Sequence, residues 1–299
     1  ERLPAGVFVG YAPAFTKACG VEFGDRDAAL RLAAASDLIV AMLGEDCEFM
    51  GEGASRTQLG LPGVQQELLE ALVATGKPVV LVLATGRPLV LTWAHEKVAA
   101  IVQTFHGGTE GRTAIADVLT GKVNPSGRTP MSFPRSVGQI PVYYNQLPTG
   151  RPQAIRQRYE SIFMDEANDP LYPFGFGLSY SRFTYANARV ARGSVVVNGT
   201  IEVMGDVTNA GPRDGQEVAQ LYIRQPVASR SRPLRELKAF EKVLLRAGET
   251  RTLRFRIDAA QLGAHDDAGR YIVDAGLVEI WLGGSSRADL RTQVLLTKS

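Results

Sequence analysis

"LIVAMLGEDCEFMGEGASRTQLGLPGVQQELLEALVATGKPVVLVLATG", residues 38–86, decides how the first half of the chain reads. It opens and closes on continuous apolar runs, "LIVAML" (38–43) and "VVLVLA" (79–84), each the length of a buried strand. Between them, "LPGVQQELLEALVATGKP" (61–78) sets Val64, Leu68, Leu69 and Leu72 at helical spacing. Gly76 lies just past the end of that pattern and Pro78 stands beyond it, as at a helix C-terminus. Strand, helix, strand, with strands that do not alternate, predicts a parallel sheet buried on both faces and flanked by helices.

The same rhythm continues outward. "GVFVGYA" (6–12) is strand-like, and "DRDAALRLAAASD" (25–37) reads as a helix opened by an Asp cap. "AAIVQTFHGG" (99–108) reads as a strand, and "TEGRTAIADVLTGKVNP" (109–125) as a helix ending at Gly121. Three of the strands run into glycine-containing loops: "LGED", "LATG" and "FHGG". In open α/β sheets, ligands bind beyond the carboxyl ends of the strands.

From about residue 125 the texture changes. "NPSGRTPMSFPRSVGQIPVYYNQLPTGRP" and "YPFGFGLSYSRF" are rich in Pro, Gly and aromatics, which predicts a connector packed down by its aromatic side chains. Beyond it, "SVVVNGTIEVMGDVTNAG" (194–211), "EVAQLYIRQP" (217–226), "FEKVLLRAGETRTLRFRID" (240–258) and "GRYIVDAGLVEIWLGG" (269–284) alternate apolar and polar residues between turn signals. That pattern predicts an antiparallel β-sandwich, of the fibronectin type III-like kind because no Cys…Trp…Cys pattern is present. The expected organisation is an α/β sandwich over 1–140, a connector over 141–182 and an all-β sandwich over 183–299.

Composition excludes several classes. A formal net charge of +2 offers no field for nucleic acid. No apolar run approaches the roughly 18 residues of a membrane span. Two cysteines, Cys19 and Cys47, and three dispersed histidines have no metal-ligand spacing. The cysteines read as two unpaired thiols. No phosphate-loop or dinucleotide fingerprint is present, Ser132 and Ser136 lack a nucleophile-elbow context, and no cofactor is expected. His95 and His265 read as exposed and isolated, and Asn198-Gly199-Thr200 as a sequon without consequence.

The stretch 44–62 holds Glu45, Glu48 and Glu52, spaced as on one helix face. Gly44, Gly51 and Gly53 oppose a helix, each costing about 1 kcal/mol there relative to Ala. The stretch is therefore a long loop at the ligand end of a sheet. Long irregular loops in compact domains are commonly functional, and charge clusters are commonly just solvated, so position alone leaves both readings standing.

Longer motifs resemble a known family. "GE……GEGASRTQLGLPGVQQELLEAL", "GKPVVLVLATGRPLVL" and "GGTEGRTAIADVLTGKVNPSGRTPMSFPRSVGQIPVYYN" resemble the second domain of glycoside hydrolase family 3. "LYPFGFGLSYSRF" and "SRPLRELKAFEKVLLRAGET" resemble the entry into, and the body of, that family's fibronectin type III-like domain. The resemblance covers nearly the whole chain and is nearest the bacterial periplasmic β-glucosidases, which implies a periplasmic or secreted location. It implies a retaining β-glycosidase acting on a β-linked oligosaccharide or glucoside. In such an enzyme an Asp nucleophile and a carboxylic acid/base stand about 5 to 5.5 Å apart.

By that resemblance Glu52 is the general acid/base, Glu45 shapes the loop or binds a substrate hydroxyl, and Arg56 is a candidate substrate ligand. His106, at the strand end in "FHGG", is a further candidate by position, with a structural role in a tight loop as the alternative. Glu48 matches no family position. The family's nucleophile lies in a Ser-Asp-Trp-type motif on an N-terminal (β/α)8 barrel. Here Trp93 and Trp281 follow Thr92 and Ile280, so the motif is absent, as is any stretch of about 250 residues for a barrel. The chain reads as the second and third domains of a larger enzyme, inactive alone, with the barrel as its partner domain. The alternatives are a non-catalytic binding or scaffold protein built from the same two domains, and a β-xylosidase of the same family.

Overall fold

The computed structural model describes residues 6–149 and 160–298. Two compact units divide them. The first runs to Val123 and includes Phe133–Ile140; the second takes Asn124–Ser132 and the chain from Pro141 onward.

In the first unit, α1 (Arg26–Ala34) starts where expected. The Asp25 side chain accepts from the Ala28 N–H at 2.8 Å, satisfying one of the orphan donors of the first turn. β1 (Ile39–Gly44), α2 (Gln65–Ala74), β2 (Val79–Ala84), α3 (Thr92–Lys97), β3 (Ala100–Gln103) and α4 (Gly111–Leu119) follow. The three strands form a parallel sheet in the order β1-β2-β3, with Ile39 opposite Val79 and Val80 opposite Ala100. α2 lies against β1 and puts Leu68, Leu69 and Leu72 into the core beside Leu43, Leu81 and Leu83.

Four sequence expectations change. Among the described residues, 6–12 pair with no strand, and Phe8 stands almost wholly in solvent; alternation alone does not make a strand without a neighbour. β1 is buried on one face only, because Leu38, Val40 and Met42 are exposed while Ile39, Ala41 and Leu43 are enclosed. The second face of the sheet is closed over β2, where Val82 is fully buried. α3 was not anticipated; at six residues it is too short to develop a helical stripe. β3 stops at Gln103, well before Gly108, and Phe105 turns the chain with φ +50°.

The second unit is a β-sandwich. Its strands are β4 (Phe183–Val190), β5 (Ser194–Val196), β6 (Thr200–Asn209), β7 (Gly215–Arg224), β8 (Glu236–Leu245), β9 (Thr250–Asp258), β10 (Ala264–His265), β11 (Tyr271–Ile272), β12 (Gly276–Gly283) and β13 (Leu290–Thr297). One sheet has the order β4-β6-β9 and the other β5-β13-β12-β7-β8, with β10 and β11 as a separate small pair. Pairing is antiparallel except for β5, which runs parallel to β13. Inward residues at every second position, such as Ile201, Val203 and Val207 of β6, meet Leu221, Ile223, Ile280 and Leu282 in one core.

The aromatic connector packs onto this sandwich. Tyr144 stacks on Phe174 at 4.2 Å and meets Tyr222 edge-on at 5.9 Å. Residues 150–159 of the connector lie outside the described residues. Glu217, nearly fully buried on β7, accepts from Tyr185 at 2.6 Å and pairs with Arg128. Burial and the Glu217 carboxylate drive the Tyr185 phenol far above its ordinary pKa, so it stays a donor. His265 is not isolated, since its ring meets Tyr271 edge-on at 5.1 Å.

Candidate active site

The candidate site is the loop between β1 and α2, at the carboxyl end of the parallel sheet. Its departure point is Gly44. A Cβ there would lie 2.0 Å from the Ala84 carbonyl, so only glycine lets β1 end this close to β2. The buried Gln65 side chain at the start of α2 grips the same residue. Its Oε1 accepts from the Gly44 N–H at 2.8 Å, and its Nε2 donates to Gly44 O at 2.7 Å and Ala18 O at 2.6 Å. Cys19 lies under this strand end and accepts from the Asp46 N–H at 3.3 Å. Burial pushes the Cys19 thiol up, and it is unpaired, as is the exposed Cys47.

The stretch is a loop with a single 3-10 turn, Cys47–Phe49, capped by Asp46. Its three glutamates face three different ways. The Glu45 carboxylate has no exposed surface: Oε1 accepts from Arg56 Nη1 at 2.7 Å and forms an ion pair with Arg87 Nε at 3.2 Å, and Oε2 accepts from the Gly86 N–H at 3.2 Å. It has no face left for a sugar hydroxyl and instead ties the loop to the β2 exit. Arg56 is also drawn inward, donating to Gly60 O at 3.0 Å and covering the Phe49 ring at 5.4 Å. Glu48 lies on the surface in an ion pair with Lys17.

Glu52 is exposed, with Gly51 at φ +95° and Gly53 at φ +76° on either side. Nothing lies within 4 Å of where a Cβ would be on either glycine. These positions need glycine for the left-handed backbone that turns Glu52 outward and not for lack of room. Arg87 braces the turn, its Nη2 donating to Phe49 O at 2.5 Å and Ala54 O at 3.1 Å.

His106 stands beside this loop. A Cβ on Gly86 would meet the Met50 sulfur at 3.4 Å and His106 Nε2 at 3.5 Å, so the loop and the β3 exit meet over Gly86. His106 is exposed and follows Phe105, a non-glycine residue in left-handed backbone, a kind of outlier that clusters at functional sites. The structure thus brings Glu45, Arg56, Glu52 and His106 to one edge of the sheet. It adds Gln65 and Arg87, which sequence reading did not single out. Among the described residues no group of His, Cys, Asp and Glu could hold a metal ion, and no helix is long and apolar enough to cross a membrane.

Comparison with known proteins fits this geometry. Residues 16–180 match the glycosyl hydrolase family 3 C-terminal domain, which contains the whole loop and its braces. The chain belongs to glycosyl hydrolase family 3. Residues 217–286 match a fibronectin type III-like domain, in the β-sandwich unit.

This family 3 chain is 45% identical over 262 residues to the periplasmic beta-glucosidase of Salmonella typhimurium, covering 87% of this chain and 34% of that protein. It is 39% identical over 287 residues to a beta-xylosidase of Formosa agariphila, covering 95% of this chain and 39% of that protein. Among solved structures, the beta-glucosidase of Listeria innocua in complex with glucose superposes with a TM-score of 0.87 at 37% identity. That superposition covers 91% of this family 3 chain and 38% of the Listeria chain. The chain thus spans a little over a third of the length of these relatives.

Proposed function

We propose that this chain is the C-terminal part of a retaining β-glycosidase, a β-glucosidase, and that Glu52 is its general acid/base. The observation that carries the reading is the opposed setting of two carboxylates in one loop. Glu45 is spent inside on two arginines, while Glu52 is presented outward from a glycine-flanked turn at the ligand end of the sheet. His106 lines the same edge and is the candidate ligand left free to meet a sugar. Glu45 and Arg56 serve by holding the loop.

In a retaining mechanism the acid protonates the departing glycosidic oxygen while an Asp attacks the anomeric carbon, then takes a proton from the incoming water. The Asp would come from the barrel domain that family 3 enzymes carry. A carboxyl that must hold a proton needs a dry setting or a second carboxylate nearby, and closure of the barrel over this edge would supply both. The substrate would be a terminal β-linked glucose of an oligosaccharide or glucoside, and the location periplasmic or secreted, as in the Salmonella relative.

The test is made in the full-length polypeptide. Glu52→Gln lowers kcat/KM on alkyl β-glucosides at least a hundredfold, spares kcat/KM on dinitrophenyl β-glucoside, whose leaving group needs no proton, slows kcat because the incoming water loses its base, and yields glycosyl azide when azide is added. Equal loss of kcat/KM on both substrates with no azide product refutes the assignment. The 299-residue chain alone should not turn over an aryl β-glucoside. A second reading, β-xyloside hydrolysis, is favoured by the 39% identity to the Formosa beta-xylosidase; kcat/KM on matched aryl glucoside and xyloside decides between them.

A further inference from the structure

We propose that Arg87 is the positioning residue of the acid/base loop: a single guanidinium clamps the backbone on both sides of Glu52 and locks that clamp to the sheet through Glu45. The inference rests on the reading of Glu52 as the acid/base. Nη2 of Arg87 donates to the carbonyls of Phe49 and Ala54, three residues before Glu52 and two after it. Its Nε reaches the enclosed Glu45 carboxylate at 3.2 Å. Arg87 itself follows directly on the β2 exit, where Thr85 is fully buried and its Oγ1 donates to the Arg87 carbonyl at 2.8 Å. The clamp is therefore mounted on rigid sheet, and the segment it grips is the short turn that carries Glu52.

The local chemistry makes the clamp necessary. Gly51 and Gly53 give the turn its shape but also the widest choice of backbone conformations, and no packing contact stands where their side chains would be. Without an external restraint a Gly-Glu-Gly turn would present its carboxyl over a range of positions, while proton transfer needs the acid within about 3 Å of the leaving oxygen. Only a planar fork with several fixed donors can grip two carbonyls and a carboxylate at once. A lysine keeps the charge beside Glu45 and loses the grip.

The test compares Arg87→Met, Arg87→Lys and Glu52→Gln in the full-length polypeptide, with hydrogen exchange on residues 48–56 as the structural readout. Both Arg87 variants should raise exchange at Phe49 and Ala54 at least tenfold. They should lower kcat/KM on alkyl β-glucosides ten- to a hundredfold and leave kcat/KM on dinitrophenyl β-glucoside within about threefold. A merely structural defect would lower kcat/KM on both substrates alike, and that result overturns the proposal, as does unchanged kinetics in Arg87→Lys. Where Arg87→Met fails to fold, Arg87→Lys carries the test alone. If Glu52→Gln shows the leaving-group dependence and the Arg87 variants do not, the clamp is refuted and the acid/base assignment stands. If Glu52→Gln itself lacks that dependence, both fall.

Discussion

Gln65→Met is the sharpest structural perturbation the fold offers near the site. The side chain is 1% exposed, and methionine matches it closely in length and volume, so the change leaves little void. What it removes is three hydrogen bonds, at 2.8, 2.7 and 2.6 Å, to the Gly44 N–H, the Gly44 carbonyl and the Ala18 carbonyl. Each backbone group left unpaired and dry costs about 1–3 kcal/mol. Allowing for partial relaxation and for water reaching the exposed Ala18, the expected loss is about 3–5 kcal/mol, a large share of the roughly 5–15 kcal/mol that holds a domain together. The assay is urea unfolding followed by tryptophan fluorescence, because Trp93 reports on the first unit and Trp281 on the second. With a slope of about 2 kcal/mol per molar urea, the Trp93 midpoint should fall by roughly 2 M while the Trp281 midpoint stays in place. Gln66→Met is the control. Gln66 bonds to Glu70 on the helix surface, at 2.9 Å, and its loss should cost under about 0.5 kcal/mol. A Trp93 shift below about 0.5 M, or the same shift in both variants, refutes the argument that Gln65 anchors the strand end.

Changing Gly51 and Gly53 to alanine together meets no steric obstacle and forces two L-residues into left-handed backbone, at about 1–2 kcal/mol each. Hydrogen exchange over residues 48–56 should quicken while the Trp281 transition is unchanged. In the sandwich, Glu217→Gln strands the Arg128 guanidinium, 9% exposed, without a counter-charge, and the Trp281 transition should lose about 3 kcal/mol in urea unfolding. Asp206 is held below the ordinary carboxylate range by hydrogen bonds from Thr252 at 2.6 Å and Asn187 at 2.8 Å. A depressed folded-state pKa adds stability above the unfolded value that is lost as pH falls through the folded one. The Trp281 midpoint of the wild type should therefore drop below about pH 4, and Asp206→Asn should lower it at pH 7 and flatten that drop.

Where burial follows a regular period, the sequence was readable. β6 alternates buried and half-buried residues along its whole length, and α2 buries Leu68, Leu69 and Leu72 as their spacing predicts. Where an element depends on a neighbour, it was not. Residues 6–12 have the alternation of a strand and no partner strand among the described residues, and β1 has the composition of a two-sided strand and one covered face. The braces of the loop were hidden for a different reason: a side chain that bonds backbone 21 or 38 residues away leaves no period. Gln65 did leave a trace. It stands in register with Leu68, Leu69 and Leu72, and a glutamine in an apolar stripe has to find buried partners. Arg87 left a fainter one, a charge placed three residues past an apolar strand at the ligand end of the sheet.

The loop shows how a flexible-looking sequence can hold a carboxylate in place. About twenty residues without a core of their own should pay heavily in conformational entropy to be ordered. Here the ordering comes from a buried charge cluster, one carboxylate between two arginines, whose members lie at the start of the loop, near its end and on the next strand exit. Buried ion clusters add little net stability but fix register, since a mispaired charge in a dry place is costly. Deleting any residue between Glu45 and Arg56 would draw Arg56 off Glu45, and a shift in register would take Phe49 or Ala54 off Arg87. The arrangement therefore specifies the length of the loop as well as its shape. Glu45 is held inside by the two arginines and Glu48 is tied to Lys17 at the surface, so the outward setting of Glu52 follows from the ties that hold the rest of the loop.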